Sequence, residues 1–264
     1  MSRVDVRKTH KLFIGGAFPR SESGRTYEVT DSKEQFLANM ALASRKDARD
    51  AVLAARSAVA KWSAATAYNR GQVLYRIAEV MEGRREQFIS EVSDSEGVSS
   101  RKAGAHVDAA IDRWVWYAGW ADKYAQVIGN TNPVAGPFFN FSVPEPTGVV
   151  AAVAPQDASI LGLVSVIAPI IVTGNAVIAM PSSSRPIPAI TLAECLATSD
   201  VPAGVVNILT GAPAEVMPWL AEHADVNALD LTGIVDEAVA ADLERSAAGT
   251  VKRVRGAAPH ANWQ

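Results

Sequence analysis

The sequence predicts an α/β fold: a doubly wound parallel sheet preceded by a helical segment and a small strand arm. Three observations predict it. From Gly148 onward, short apolar runs alternate with stretches of helix length. Those runs are apolar nearly throughout, the pattern of strands covered on both faces rather than on one. Before Gly148, apolar residues recur mainly at helical spacing.

In order along the chain, residues 11–29 alternate well enough for two short strands around a turn. Leu12, Phe13 and Ile14 form one, Gly15-Gly16 the turn, and Thr26, Tyr27 and Val29 the other. Ser44 with Asp47 three residues on reads as a capping box. The helix it starts carries Val52, Ala55 and Val59 on one face and ends near Trp62. A second helix holds Val73, Leu74, Ile77, Ala78 and Met81, and bends or restarts near Gly83 before Phe88 and Val92. A third runs from about Ser100 through Val107, Ile111, Trp114 and Tyr117. Trp114, Trp116, Tyr117 and Trp120 form an aromatic cluster that reads as helix packing, with a ligand-stacking surface as the alternative. Phe139, Phe141 and Val143 then alternate with polar neighbours ahead of Pro144 and Pro146, as an edge strand or arm does.

The sheet is expected from strands at 149–153, 175–179, 205–209, 228–231 and 251–254. The helices between them are expected at 160–173, 187–198, 214–222 and 236–247. Right-handed crossovers make such a sheet doubly wound and place a ligand at the carboxyl ends of its strands. That edge carries Pro155, Gln156 and Asp157; Met180, Ser182 and Ser183; Thr210 and Gly211; and Thr232 and Gly233. Two units are expected, 1–147 and 148–264, the first packed on the sheet of the second.

Composition narrows the function classes. A formal net charge of −3 over 264 residues argues against a nucleic-acid or membrane-surface role. The first eleven residues are polar and lack an apolar core, so no signal peptide is expected, and the cytoplasm is the expected compartment. The apolar run 160–172 is short for a membrane span and is interrupted by Gly162, Ser165 and Pro169. Cys195 is the one cysteine, which leaves no intrachain disulfide and no multi-cysteine zinc site. The histidines, His10, His106, His223 and His260, lack metal-ligand spacing, and no metal is expected. Cys195 sits mid-helix and reads as a buried structural thiol. Ser182, Ser183 and Ser184 have no nucleophile elbow and read as a solvated loop or cap cluster before Pro186.

Several pieces in order make the chain similar to one family. They are LFIGG (12–16), SGRTYEV (23–29), ALASRKDARDAVLAARSAVAKWS (41–63), YAGWADK (117–123), EPTGVVAAVAP (145–155), APIIVTGNAVI (168–178) and VPAGVVNILTG (201–211). From about Lys11 to Val254 the sequence resembles the aldehyde dehydrogenase superfamily. The resemblance implies a Rossmann-like cofactor domain and an oligomerisation arm near 138–143. It also implies a catalytic domain, supplying the nucleophilic cysteine, that would follow the point where this sequence stops; that domain is expected to be absent, as the chain ends in Ala258-Pro259-His260-Ala261-Asn262-Trp263-Gln264.

The resemblance also shows where this chain departs. Family members carry Pro-Trp-Asn, whose asparagine amide donates to the oxyanion, where this chain has Pro155-Gln156-Asp157. An ionised Asp157 has no donor there and repels the charge it should stabilise. The Lys-Pro-x-Glu that grips the adenosine ribose corresponds to Met180-Pro181-Ser182-Ser183. Two lost charge-linked hydrogen bonds at roughly 1.5–3 kcal/mol each weaken binding by about 10²–10⁴-fold. The phosphate turn, Gly-Ser-Thr-x-x-Gly in the family, reads Gly233-Ile234-Val235-Asp236-Glu237-Ala238. The general-base segment Glu-Leu-Gly-Gly corresponds to Val254-Arg255-Gly256-Ala257, which has no acid.

No catalytic residue is therefore assigned. The expected cofactor site is a vestigial cleft of Pro155, Gln156, Asp157, Met180, Ser182, Ser183, Gly211, Thr232 and Gly233, with NAD or NADP bound weakly if at all. Three functions stand against one another: a pseudoenzyme partnering another subunit such as a full-length aldehyde dehydrogenase, or itself; an NAD(P)-binding subunit of a composite aldehyde oxidoreductase; and a small-ligand sensor using the vacated cleft.

Overall fold

The structure, a computed structural model, describes residues 7–256. Residues 258–264, with Ala257 of the altered base segment and the first six residues, lie outside the described residues.

The chain begins with three strands, β1 (Thr9–His10), β2 (Thr26–Thr30) and β3 (Phe36–Ala41), in the order β1-β3-β2. This corrects the hairpin expected within 11–29. The turn at Gly15 and Gly16, both left-handed at φ +59° and +77°, closes locally, with Ile14 and Ala17 exchanging two 3.0 Å backbone bonds and the Leu12 amide donating to the Pro19 carbonyl at 3.1 Å. Leu12 and Phe13 run on to the large sheet, and the antiparallel partner of β2 is β3. The segment FLANMA has modest strand propensity, so its conformation is set by the two strands that flank it.

Helix α1 (Arg45–Ala64) starts at the expected capping box: Ser44 Oγ accepts from the Asp47 amide, and Asp47 Oδ2 accepts from the Ser44 amide at 2.7 Å. Its buried face ends in Trp62, whose indole N–H reaches the Ile171 carbonyl at 2.9 Å. The helices α2 (Ala67–Glu82) and α3 (Arg85–Glu96) are separate, so the chain restarts after Gly83 rather than bending. In α4 (Ser100–Trp120) the aromatic cluster divides. Trp114 is fully buried, whereas Trp116 is 55% exposed and meets Tyr117 edge-to-face and Trp120 at a tilt at the surface. After α5 (Tyr124–Ile128) comes the arm, an antiparallel pair of two-residue strands, β4 (Asn130–Thr131) and β5 (Phe141–Ser142), with Phe138, Phe139, Phe141 and Val143 exposed.

The remaining elements are β6 (Val149–Val153), α6 (Leu161–Val172), β7 (Ala176–Met180), α7 (Ile187–Ala197), β8 (Val206–Ile208), α8 (Pro213–Glu222), β9 (Ala228–Asp230), α9 (Glu237–Ala248) and β10 (Arg253–Arg255). All five strands are parallel, in the order β10-β9-β6-β7-β8. The chain leaves β6 toward β8, then returns to build β9 and β10 on the other side, so β6 and β9 flank a topological switch point. Alternate residues face opposite layers. Val149, Ala151, Val153, Ile178 and Met180 pack into one core with α1, α8 and α9. Ala152, Ala154, Val177 and Ala179 pack into the other with α6, α7 and, beyond them, α2 to α4. No helix among the described residues is long and apolar enough to cross a membrane.

Candidate cofactor cleft at the sheet edge

The loop after β6 and the loop after β7 are bound to each other. Gln156 Nε2 donates to the Ala154 carbonyl at 2.8 Å, and its Oε1 accepts from the amide and hydroxyl of Ser183 at 3.0 and 3.2 Å. Ser182 Oγ donates to the Gln156 carbonyl at 2.8 Å, and Arg185 donates to the Asp157 carbonyl. Ser182 is fully buried, and α7 starts at Pro186 without a side-chain cap. Ser182 and Ser183 are therefore neither a solvated loop nor a cap, as expected from sequence, but a tie between the two loops, while Ser184 is exposed as expected.

Two acids stand at the same edge. The Glu96 side chain is 4% exposed. Its Oε1 accepts from Ser159 twice, from the amide at 2.8 Å and from Oγ at 2.6 Å, while Oε2 lies 2.9 Å from His106 Nδ1. That carboxylate sits at the entry to α6, where a helix favours negative charge. Across the switch point, Asp230 accepts from the Thr232 amide at 3.0 Å and pairs with Arg255 at 3.2 Å.

The turn after β9 touches β6. The Gly233 amide donates to the Val153 carbonyl at 2.9 Å, and a Cβ on Gly233 would lie 1.9 Å from the Ala154 carbonyl oxygen, so only glycine fits. Thr232 Oγ1 is buried with no hydrogen-bond partner among the described residues. Ile234 turns into the core at 6% exposure. Asp236 caps α9, its Oδ1 accepting from the amides of Ala238 at 2.8 Å and Val239 at 3.3 Å.

The edge thus gathers Pro155, Gln156, Asp157, Ser182 and Ser183 around β6 and β7, and Thr232 and Gly233 against the end of β6. Two expected positions fall elsewhere. Met180 is fully buried in the core beneath the sheet. Gly211, at φ +128°, packs against Leu42 and Ala43 rather than facing the crevice. Cys195 is fully buried, its thiol pushed up to about 11 by burial. Sequence reading missed Glu96 and Ser159, which nothing in their local pattern singles out. It also passed over Asp230, although an acid inside the apolar run ALDL was a visible signal.

Residues 18–256 match the aldehyde dehydrogenase family. The chain belongs to that family. It is 32% identical over 241 residues to human cytosolic 10-formyltetrahydrofolate dehydrogenase, covering 88% of this chain and 26% of that protein. With aldehyde dehydrogenase, cytosolic 1, of Elephantulus edwardii it shares 31% identity over 240 residues, 88% of this chain and 47% of the relative. Among solved structures it superposes on a Bacillus cereus aldehyde dehydrogenase in complex with NAD+ with a TM-score of 0.87 at 27% identity, covering 94% of this chain and 50% of that one. A salicylaldehyde dehydrogenase from Pseudomonas putida G7 complexed with salicylaldehyde gives a TM-score of 0.86 at 26% identity, over 94% of this chain and 51% of that one. The chain therefore spans about half the length of the aldehyde dehydrogenases it matches, and its Rossmann-like sheet is theirs.

Proposed function

We propose that this aldehyde dehydrogenase-family chain does not hold a dinucleotide in its edge cleft and serves as a structural or regulatory partner of another subunit, such as a full-length aldehyde dehydrogenase. One observation carries the reading: the amides at the start of α9, where a pyrophosphate would be received, already bind the chain's own Asp236. An arriving phosphate would displace a cap that contributes about 1 kcal/mol and would meet Asp236 and Glu237 at close range. Glu96 at the entry to α6 adds a second resident carboxylate, and Gln156 and Ser183 satisfy each other. The residues present do not fit the cofactor. Partnership is supported by the exposed aromatic arm, whose Phe139 is 80% exposed beside an open strand edge.

Calorimetric titration of the full chain with NAD(H) and NADP(H) tests the first half; no heat is expected up to millimolar cofactor, and saturable binding below that overturns it. Gel filtration and co-purification from the native extract test the second. An oligomer or a co-purifying dehydrogenase is expected, and a monomer without a partner overturns it.

A second reading, an NAD(P)-binding subunit of a composite oxidoreductase, rests on Thr232, whose buried unpartnered hydroxyl sits at the switch point. The same titration, repeated with the co-purified complex, separates the two.

A further inference from the structure

A pocket of about 390 Å³ lies away from the edge cleft, between the face of the N-terminal sheet that carries Thr26 and Ala41 and the loop 20–25. It shares no residue with the cleft. Three cations line it, Lys11, Arg20 and Arg25, against one acid, Glu22. Two of these charges are already balanced: Glu22 pairs with Lys46 at 2.6 Å and Arg25 with Glu215 at 2.9 Å. Lys11 and Arg20 have no side-chain ion pair or hydrogen bond among the described residues, so two cationic side chains of the pocket wall are left without an acidic partner there; the nearby Asp47 carboxylate is buried and bound to Ser21 and the Glu22 amide. Thr9 and Thr26 border the same space.

The loop that presents Arg20 is held firmly. The buried Asp47 carboxylate accepts from Ser21 Oγ at 2.8 Å and from the Glu22 amide at 2.9 Å. Gly24, at φ +67°, closes the turn by donating to the Ser21 carbonyl at 2.9 Å, and the Arg25 carbonyl accepts from the Leu42 amide at 2.9 Å. Asp47 thus does two jobs, capping α1 and fixing the loop. A cation displayed by a prearranged loop, as Arg20 is, binds an anion with less ordering to be done first.

We propose that this pocket is a binding site for a small dianion bearing a phosphate group. The volume lies within the range of small-metabolite sites. A guanidinium offers a planar fork and an ammonium a compact charge, and the pair suits the several oxygens of a phosphate dianion better than a single carboxylate. The site is independent of the reading of the edge cleft.

The test titrates the full chain calorimetrically with inorganic phosphate, pyrophosphate and glycerol 3-phosphate at constant ionic strength set with chloride. Saturable one-to-one binding below about 1 mM is expected for at least one probe, with Arg20→Gln and Lys11→Gln each weakening it about tenfold. A preference for glycerol 3-phosphate identifies an organic phosphomonoester, and a preference for phosphate or pyrophosphate an inorganic ligand. Arg101→Gln, which removes a charge from the start of α4, is expected to leave binding unchanged. Absence of saturable heat with all three probes overturns the proposal, as does an equal loss in Arg101→Gln. Both pocket side chains are exposed, so their variants are expected to keep the parent thermal midpoint; Arg20→Lys, which retains the charge and loses the fork, provides a second variant and is expected to weaken binding less than Arg20→Gln.

Discussion

Ser159 donates its hydroxyl to Glu96 Oε1 at 2.6 Å, and its backbone amide reaches the same oxygen at 2.8 Å. The pair joins the end of α3 to the entry of α6 across 63 positions of chain, with His106 on the other carboxylate oxygen. Replacing Glu96 by Ala leaves the Ser159 amide and hydroxyl and the half-buried His106 without their partner, and a loss of about 2–4 kcal/mol is expected. Ser159→Ala removes one bond and keeps the amide contact, so about 1 kcal/mol is expected. Urea denaturation of both variants checks the order; an equal cost would show that the carboxylate is not the hub.

Asp236 holds the first amides of α9. Asp236→Ala is expected to destabilise the chain by about 1 kcal/mol, lowering the thermal midpoint by roughly 2–4 °C for a protein of this size. The same variant exposes the helix amides, so inorganic phosphate at millimolar concentration is expected to raise its midpoint more than that of the parent. A parent that responds as strongly would mean that the cap does not exclude anions.

His10 is buried at 6% exposure, and its imidazole pKa is lowered to about 4, chiefly by burial and then by Lys8, with Glu194 opposing. The unfolded chain takes up this proton near 6.5, so between pH 6.5 and 4 the unfolded state binds more protons than the folded one. The stability contributed by neutral His10 is complete above pH 6.5 and declines as pH falls through that window, by on the order of 3 kcal/mol. Urea midpoints at pH 7 and pH 4.5 are expected to differ less in His10→Gln than in the parent. Identical pH slopes would exclude His10 as the source.

Cys195 is fully enclosed, with its thiol pushed up to about 11 by burial. An aromatic disulfide reagent at pH 8 is expected to label the native chain only as fast as it opens, and the denatured chain within seconds. Rapid native labelling would contradict the packing around α7.

The sheet was legible because its central strands β6 and β7 are buried on both faces and therefore apolar without interruption; 149–153 was read to the residue, and the other strands within two. The N-terminal sheet was not, since FLANMA carries little strand preference and takes its form from β1 and β2. For the cleft, the ends of the strands were readable but not which side chains face it. Met180 illustrates the difference. It stands at the carboxyl end of β7, as expected, yet shares the parity of Ala176 and Ile178 and so faces the lower core. The strand's alternation contained that information. Glu96 was beyond reach, because its partner is fixed by how α3 packs and not by any local spacing.

Phe13 and Ile208 exchange backbone bonds at 3.0 and 2.7 Å, covering the free edge of β8, and beside them the Gly15 amide reaches Asn207 across 192 positions of sequence. This contact has a consequence in time. At roughly 5–20 residues per second of synthesis, the opening segment waits on the order of 10–40 s for its docking strand to be made. Through that interval Leu12 and Phe13, both buried in the finished molecule, lack the β8 edge that Phe13 pairs with. Closing so distant a contact also slows refolding of the whole chain. A segment made well before its partner strand is thus among the last to be secured.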